Sequence, residues 1–308
     1  MPKHCKASRN RTIELSAQEI THYAAMAVGN QKKYTLEETI NKIIHGDSFK
    51  IMPKLAPNCV DLMIVDPPYN LTKTFGQNIF RQRNFEEYKK WLDDWLSLTV
   101  PLLKENASIY ICSDWKTSIA IPEIAGKYFI LQNRISWERE KGRGAKNNWK
   151  NCLEDIWFFT KSPYYTFNTE AVKMQRPVLA PYRDTNGKPK DWLEVNNEKM
   201  RLTYPSNIWT DISVPFWSMS ENTNHPTQKP EKLIAKLILA SSNPDDLIFD
   251  PFVGSGTTAV TAKKLGRRFI GIEREKEYAA LACKRLEMAE HNSSIQGFEN
   301  GIFKARNT

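Results

Sequence analysis

Leu247-Ile248-Phe249-Asp250-Pro251-Phe252-Val253-Gly254-Ser255-Gly256-Thr257-Thr258-Ala259 is the stretch that decides the fold. A short strand ends at an acid, turns through a loop with two glycines, and opens a helix. The next strand, Phe269-Ile270-Gly271-Ile272, ends at a second acid, Glu273. A helix over 231–242 precedes this unit and another over 275–290 follows it. Strands alternating with helices predict a mostly parallel sheet with helices on both faces.

The loop admits several ligands. Glycines allow a tight turn and a close approach to the backbone. Gly254 to Ala259 fits the dinucleotide pattern G-x-G-x-x-A, and a plain turn with no ligand is also open. A nucleotide phosphate loop would need Lys-Ser/Thr after the glycines, and none follows. Asp250 at the loop entrance would repel a pyrophosphate. It suits the ammonium and sulfonium of S-adenosylmethionine.

Outward from this unit, Val60 to Val65 reads as a buried strand that must turn at Asp66-Pro67-Pro68-Tyr69, because two prolines cannot continue it. A capping box, Thr35 with Glu38, predicts a helix over 35–45. Helical spacing runs over 85–103, and strands are expected at 107–112, 129–137 and 155–160. Residues 163–222 are rich in proline, asparagine and tryptophan and lack a period, which predicts an irregular insertion or a small subdomain. The expected divisions are a polar N-terminal extension (1–41), a first half (42–162), the insertion (163–222), a second half (223–291) and a polar tail (292–308).

Composition narrows the class. The 308 residues carry a net charge of +9, which makes a polyanionic partner plausible without requiring one. Five scattered cysteines form no Cys-x-x-Cys pair, so no metal site is expected and a reduced, cytoplasmic setting is. The basic, polar start lacks a signal-peptide core, and no run of 18 apolar residues predicts a membrane span.

The order of motifs resembles the β-class amino-methyltransferases of DNA. Asp66 to Tyr69 comes first, then the insertion, then His225-Pro226-Thr227-Gln228-Lys229-Pro230, then the glycine loop. The resemblance spans residues 44–290. It implies a Rossmann-like methyltransferase fold, with the catalytic half before the cofactor-loop half and 163–222 as the target recognition region. It implies methyl transfer from S-adenosylmethionine to an exocyclic base amine of duplex DNA. Adenine N6 is favoured over cytosine N4 because the motif begins with Asp. RNA methylation, a nicotinamide-dependent oxidoreductase and a silent DNA-binding module are the rival readings. Dimerisation and a partner restriction endonuclease are expectations of the resemblance that no residue here specifies.

Site residues follow by matching position. Asp66 accepts a hydrogen bond from the amine and stabilises developing positive charge. The Pro67 carbonyl, locked by Pro68, is the second acceptor, and Tyr69 offers a face to a flipped base. Asp250, Pro251, Phe252, Gly254, Ser255, Gly256 and Thr257 wrap the methionine end of the cofactor. Glu273 takes the ribose and Asp47 the adenine amino group. His225, Thr227 and Lys229 approach from the other side, Lys229 toward the cofactor carboxylate. Lys73, Arg81 and Arg83 after the catalytic turn are expected to meet DNA. So are Arg139, Lys141, Arg143, Lys146, Trp149 and Lys150 in a second basic stretch.

Overall fold

The computed structural model describes residues 7–76, 78–139, 147–178, 181–195 and 197–304. The first elements are α1 (Ala17–Ala24), α2 (Leu36–Thr39), β1 (Lys42–His45), α3 (Ser48–Ile51) and β2 (Val60–Val65). A hairpin of β3 (Lys73–Phe75) and β4 (Asn78–Phe80) leads to α4 (Phe85–Thr99), β5 (Leu103–Asp114), α5 (Ile121–Ala125), β6 (Ile130–Glu138) and β7 (Leu153–Thr160). Then come β8 (Met174–Pro177), β9 (Leu193–Val195), β10 (Glu198–Thr203) and β11 (Ile208–Trp209). The chain closes with α6 (Glu231–Ser241), β12 (Leu247–Asp250), α7 (Thr257–Lys264), β13 (Arg268–Glu273), α8 (Lys276–His291), β14 (Phe298–Glu299) and β15 (Ile302–Phe303).

The main sheet has the order β1-β13-β12-β2-β5-β7-β6-β11, and among its described strands only β7 is reversed. The two-residue period of β2 sends Met63 and Val65 to one face and Leu62 and Ile64 to the other. The first face packs on Leu92, Trp95 and Leu96 of α4 and on Ile124 of α5. The second packs on Leu233 and Leu237 of α6 and on α7 and α8. Each such side chain, removed from water, contributes about 1.5–3 kcal/mol. This is the Rossmann-like, mostly parallel sheet expected.

Topology places the crevice. From β2 the chain passes outward over one face through α4 to β5. From β12 it passes the other way, over the opposite face, through α7 to β13. Between neighbours whose connections diverge, the carboxyl ends of the strands leave an opening. Asp66 follows β2 and Asp250 ends β12, so both acids stand at it.

Several expectations need correction. The capping box at Thr35 forms, but its helix stops at Thr39. Asn41 turns left-handed at φ 58, and β1 then pairs with β13, burying Ile43 and Ile44 on opposite faces. Of the two forms expected for 163–222, the paired strands favour the small subdomain: β8, β10 and β9 are antiparallel there, and β11 adds to the edge of the main sheet. The 292–308 tail is not merely polar: β14 and β15 form a hairpin, β15 pairs with β8, and Ile295 and Phe303 are buried. The N-terminal arm is stitched on as well. Ile13 N–H donates to the Asn222 carbonyl, and the Tyr23 hydroxyl of α1 donates to Glu287 of α8 at 2.5 Å.

Candidate active site

A cavity of about 690 Å³ opens where β2 and β12 end, within the usual range for small-molecule sites. Asp66, Pro67, Pro68 and Tyr69 line one end, and Asp47, Asp250, Gly254 and Glu273 line the other. Hairpin β3–β4 contributes Lys73, Phe75 and Phe80, and Arg81 and Arg83 follow it along the wall.

At the Asp66 end the polar groups are paired. The Tyr69 hydroxyl donates to Asp66 Oδ1 at 2.8 Å, and Lys229 Nζ lies 2.5 Å from Asp66 Oδ2. Lys229 is also 3.2 Å from Glu154 Oε2 and 5.4 Å from the centre of the Tyr69 ring. Burial opposes its charge, yet Asp66 and Glu154 hold its pKa above the ordinary lysine value. Burial, with those two acids, also holds the Tyr69 phenol well above its usual range. Lys229, expected to approach a cofactor carboxylate, stands in the ligand-free protein in an ion pair with Asp66. The Pro68 carbonyl accepts from the Tyr88 hydroxyl at 3.1 Å.

The other end is acidic and built on backbone. Asp250 is buried, accepting from Thr258 Oγ1 at 2.6 Å and from Phe252 N–H at 3.0 Å. Glu273 accepts from Gly254 N–H at 2.8 Å and from Glu275 N–H at 2.7 Å. Burial pushes both carboxyls up to about 7. Asp47 caps α3 through Phe49 N–H, and Ser48 beside it donates to the Pro251 carbonyl. Gly254 sits at φ 54, and a Cβ there would meet His225 Nε2 at 2.9 Å. His225 packs edge-on against Tyr278, and burial with Lys229 and Lys73 nearby drives its pKa down to about 3, leaving a neutral ring.

Not every expected residue faces the cavity. Pro251, Phe252, Ser255, Thr257, His225 and Thr227 do. Gly256 does not: it caps α7 at φ 88, and a Cβ there would fall 2.7 Å from the Ala282 Cβ of α8. Arg139 pairs with Glu154, while Trp149 and Lys150 are exposed. Lys141, Arg143 and Lys146 lie outside the described residues. Sequence reasoning missed Glu154, Thr258, Tyr278 and Gln228. Gln228 accepts from Thr223 Oγ1 at 2.6 Å and donates to the Glu221 carbonyl at 2.6 Å, fixing the segment that carries His225 and Lys229. Its place inside the His225-to-Pro230 motif was the one available signal.

Comparison with known proteins agrees with this geometry. The profile of the DNA methylase family matches residues 60–284. The chain is 36% identical over 259 residues to an Escherichia coli (strain K12) protein named DNA adenine methyltransferase YhdJ, covering 82% of this chain and 84% of that one. It is 35% identical over 264 residues to the type II methyltransferase M.HpaI of Haemophilus parainfluenzae, covering 84% and 76%. The crystal structure of the M1.HpyAVI–SAM complex superposes with a TM-score of 0.50 at 26% identity, over 79% of this chain and 98% of that one. The cytosine-N4-specific PvuII DNA methyltransferase shares the fold, with a TM-score of 0.58 at 18% identity over 82% and 90%. Because the matched span runs from the first residue of β2 into α8, and so takes in both acid turns and the crevice between them, the chain belongs to the DNA methylase family.

Proposed function

We propose that this DNA methylase transfers a methyl group from S-adenosylmethionine to the N6 amine of adenine in duplex DNA, with the base swung out of the helix. The observation that carries the reading is that Asp66 opens into the same cavity as Asp250, Gly254 and Glu273. The cofactor suits the residues present. Asp47, Asp250 and Glu273 gather three carboxyl groups at one end of the cavity, which a cationic ligand would favour in their ionised forms, and Gly254 leaves room that a side chain would fill. The adenine target draws further support from the naming of the E. coli relative.

S-adenosylmethionine, when bound, supplies a methyl group on a positively charged sulfur. Asp250 favours that positive charge and the ammonium of the same molecule. Glu273 accepts from the ribose hydroxyls and Asp47 from the adenine amino group. Asp66 accepts one hydrogen bond from the target amine, and the carbonyl of Pro67 accepts the other, since that of Pro68 serves Tyr88. These bonds turn the nitrogen lone pair out of conjugation with the ring. As the nitrogen gains the methyl group it gains positive charge, which Asp66 stabilises until a proton leaves to water. The ring of Tyr69 supports the extruded base. Lys73, Arg81, Arg83, Arg139, Lys141, Arg143, Lys146 and Lys150 supply phosphate contacts, and Trp149 stacks or wedges. Residues 163–222 read the target sequence. Self-association and a partner restriction endonuclease complete the reading, the latter in keeping with the type II naming of M.HpaI.

The test is incubation of the purified protein with S-adenosylmethionine and unmethylated duplex DNA, followed by digestion to nucleosides and mass analysis. N6-methyladenine is the expected product. N4-methylcytosine would overturn the base assignment, and methylation of RNA alone would overturn the substrate.

A further inference from the structure

One buried carboxylate beside the cavity belongs to neither acid turn. Glu154 lies on β7, the reversed strand, and its side chain is 5% exposed. Its Oε1 pairs with Arg139 Nη1. Its Oε2 is the second, longer acceptor within reach of the one Tyr69 hydroxyl proton, at 3.1 Å against 2.8 Å for Asp66, and lies 3.2 Å from Lys229 Nζ. A single ammonium thus stands between two carboxylates, and it is nearer to Asp66, at 2.5 Å.

That arrangement obstructs the chemistry. Asp66 Oδ2 holds Lys229 and Oδ1 lies 2.8 Å from the Tyr69 hydroxyl, so the base amine must share each oxygen with a partner already in place, and the ammonium neutralises the charge that the developing cation needs. The ammonium cannot leave by losing its proton, because the two acids hold its pKa above the usual value. A buried cation stripped of its counter-ion is strongly disfavoured, so Lys229 leaves Asp66 toward another anion, for which the carboxylate of bound S-adenosylmethionine and a protein carboxylate are the two sources. Among the described residues, Glu154 is the one other carboxylate in ion-pair contact with it. Closing 3.2 Å to a charge-assisted contact of about 2.8 Å is within reach of a lysine stem.

We infer that Glu154 is a positioning residue for methyl transfer: it takes Lys229 over from Asp66 as the target amine arrives, and Arg139 ties that exchange to DNA. Arg139 is about a third exposed and opens the basic stretch that runs to Lys150, while its Nε is buried with no partner among the described atoms. A DNA phosphate that draws this guanidinium away leaves Glu154 with less cationic company, and its pull on Lys229 rises. Within the protein no proton moves: the phosphate takes the guanidinium, and the same carboxylates and ammonium change partners. The inference rests on the reading of Asp66 as the acceptor of the amine.

The experiment compares full-length wild type with Glu154→Gln, Lys229→Met and the double variant, using S-adenosylmethionine and unmethylated duplex DNA. Glu154→Gln is expected to lower the single-turnover methylation rate 10- to 100-fold while the Kd for S-adenosylmethionine stays within twofold. Glu154→Asp, which keeps the charge, is expected to recover part of the rate. In the Lys229→Met background Glu154→Gln is expected to add no further loss, because Glu154 acts through Lys229. A Glu154→Gln rate within twofold of wild type overturns the inference, as do losses that multiply independently. Should Glu154→Gln fail to fold, a crystal structure of wild type with S-adenosylhomocysteine and substrate duplex decides. Lys229 Nζ is expected against Glu154 and off Asp66; finding it still on Asp66 overturns the exchange. Asp66→Asn, run alongside, separates the two readings. An active Asp66→Asn sinks the amine-acceptor role itself, whereas an inactive one beside an active Glu154→Gln sinks only the exchange.

Discussion

Two lysine–carboxylate clusters flank the start of α6, and they use the same residue types for opposite ends. Lys229, just before the helix, is one cation between Asp66 and Glu154 at the cavity. Lys232 and Lys236, on the helix, are two cations on the single carboxylate of Asp211. In the first cluster two carboxylates on either side of the lysine keep it charged, and one of them, Asp66, lines the cavity. In the second, burial pushes Lys236 down to about 8, and the two ammonium groups overcome the burial of Asp211 to hold its carboxyl below the usual range. Lys232 also donates to the carbonyls of Asp211 and Lys304, and Lys236 lies 4.8 Å from the centre of the Trp209 ring. Neither lysine lines the cavity. The second cluster is a clamp that ties insertion, tail and helix together, and the first is a site. What separates them is whether a carboxylate of the cluster reaches the opening.

The largest expected effect breaks the clamp. Asp211→Ala strands two buried lysines without a counter-ion and is expected to remove about 3–5 kcal/mol of unfolding free energy, read by urea unfolding. A loss under about 1 kcal/mol would show that water reaches the lysines and that the contrast with Lys229 is false. Asp66→Ala is the matching cut at the site. Methylation is expected to fall about 10²- to 10³-fold, with little change in the urea midpoint, since Lys229 keeps Glu154. Loss of folding instead would make Asp66 structural.

Gly256→Ala sharpens the comparison between the two glycines of the loop. The alanine must hold φ 88 and bring its Cβ within 2.7 Å of the Ala282 Cβ. A destabilisation of about 1–3 kcal/mol is expected. The Kd for S-adenosylmethionine should move less than it does in Gly254→Ala, whose Cβ points at His225 in the cavity wall. Equal effects on affinity would place Gly256 with Gly254 at the cofactor.

Much of the site was legible because local chemistry carries it. Two prolines after Val60 to Val65 must end a strand, and the glycines after Asp250 must turn one. The parallel pairing then sets both acids at one edge. Glu154 was not legible, because an acid between Leu153 and Asp155 gives no sign of where it will point. Its role comes from the antiparallel register of β7 with β5 and β6, and from a partner 85 residues away in the chain. The same holds for the tail. β14 and β15 have two residues each, joined through a left-handed Asn300 and Gly301, and no period can be read from four residues. Helix over 35–45 failed for a related reason: tertiary pairing with β13 outweighed a correct N-cap.

The smallest expected effect concerns protons at the cofactor end. Asp250 and Glu273 each titrate at about 7 in the ligand-free protein, because burial disfavours their charged forms. Their folded values exceed the unfolded ones, so the stability they contribute is present below about pH 4 and is lost as pH rises through 7. A cationic ligand reverses that preference by favouring the ionised carboxylates. The Kd for S-adenosylmethionine should therefore fall between pH 6 and pH 8, by up to about tenfold per group if only the ionised form binds, and level off above. Isothermal titration at several pH values checks this, with proton release from the protein on binding near pH 7. Asp250→Asn should flatten the slope that Glu273 alone does not supply. A Kd that stays constant from pH 6 to pH 8 would mean that both acids are already ionised in the free protein, with water in the cavity solvating them. The acidic end would then differ from the Lys229 end only in sign of charge, not in how deeply it is withdrawn from solvent.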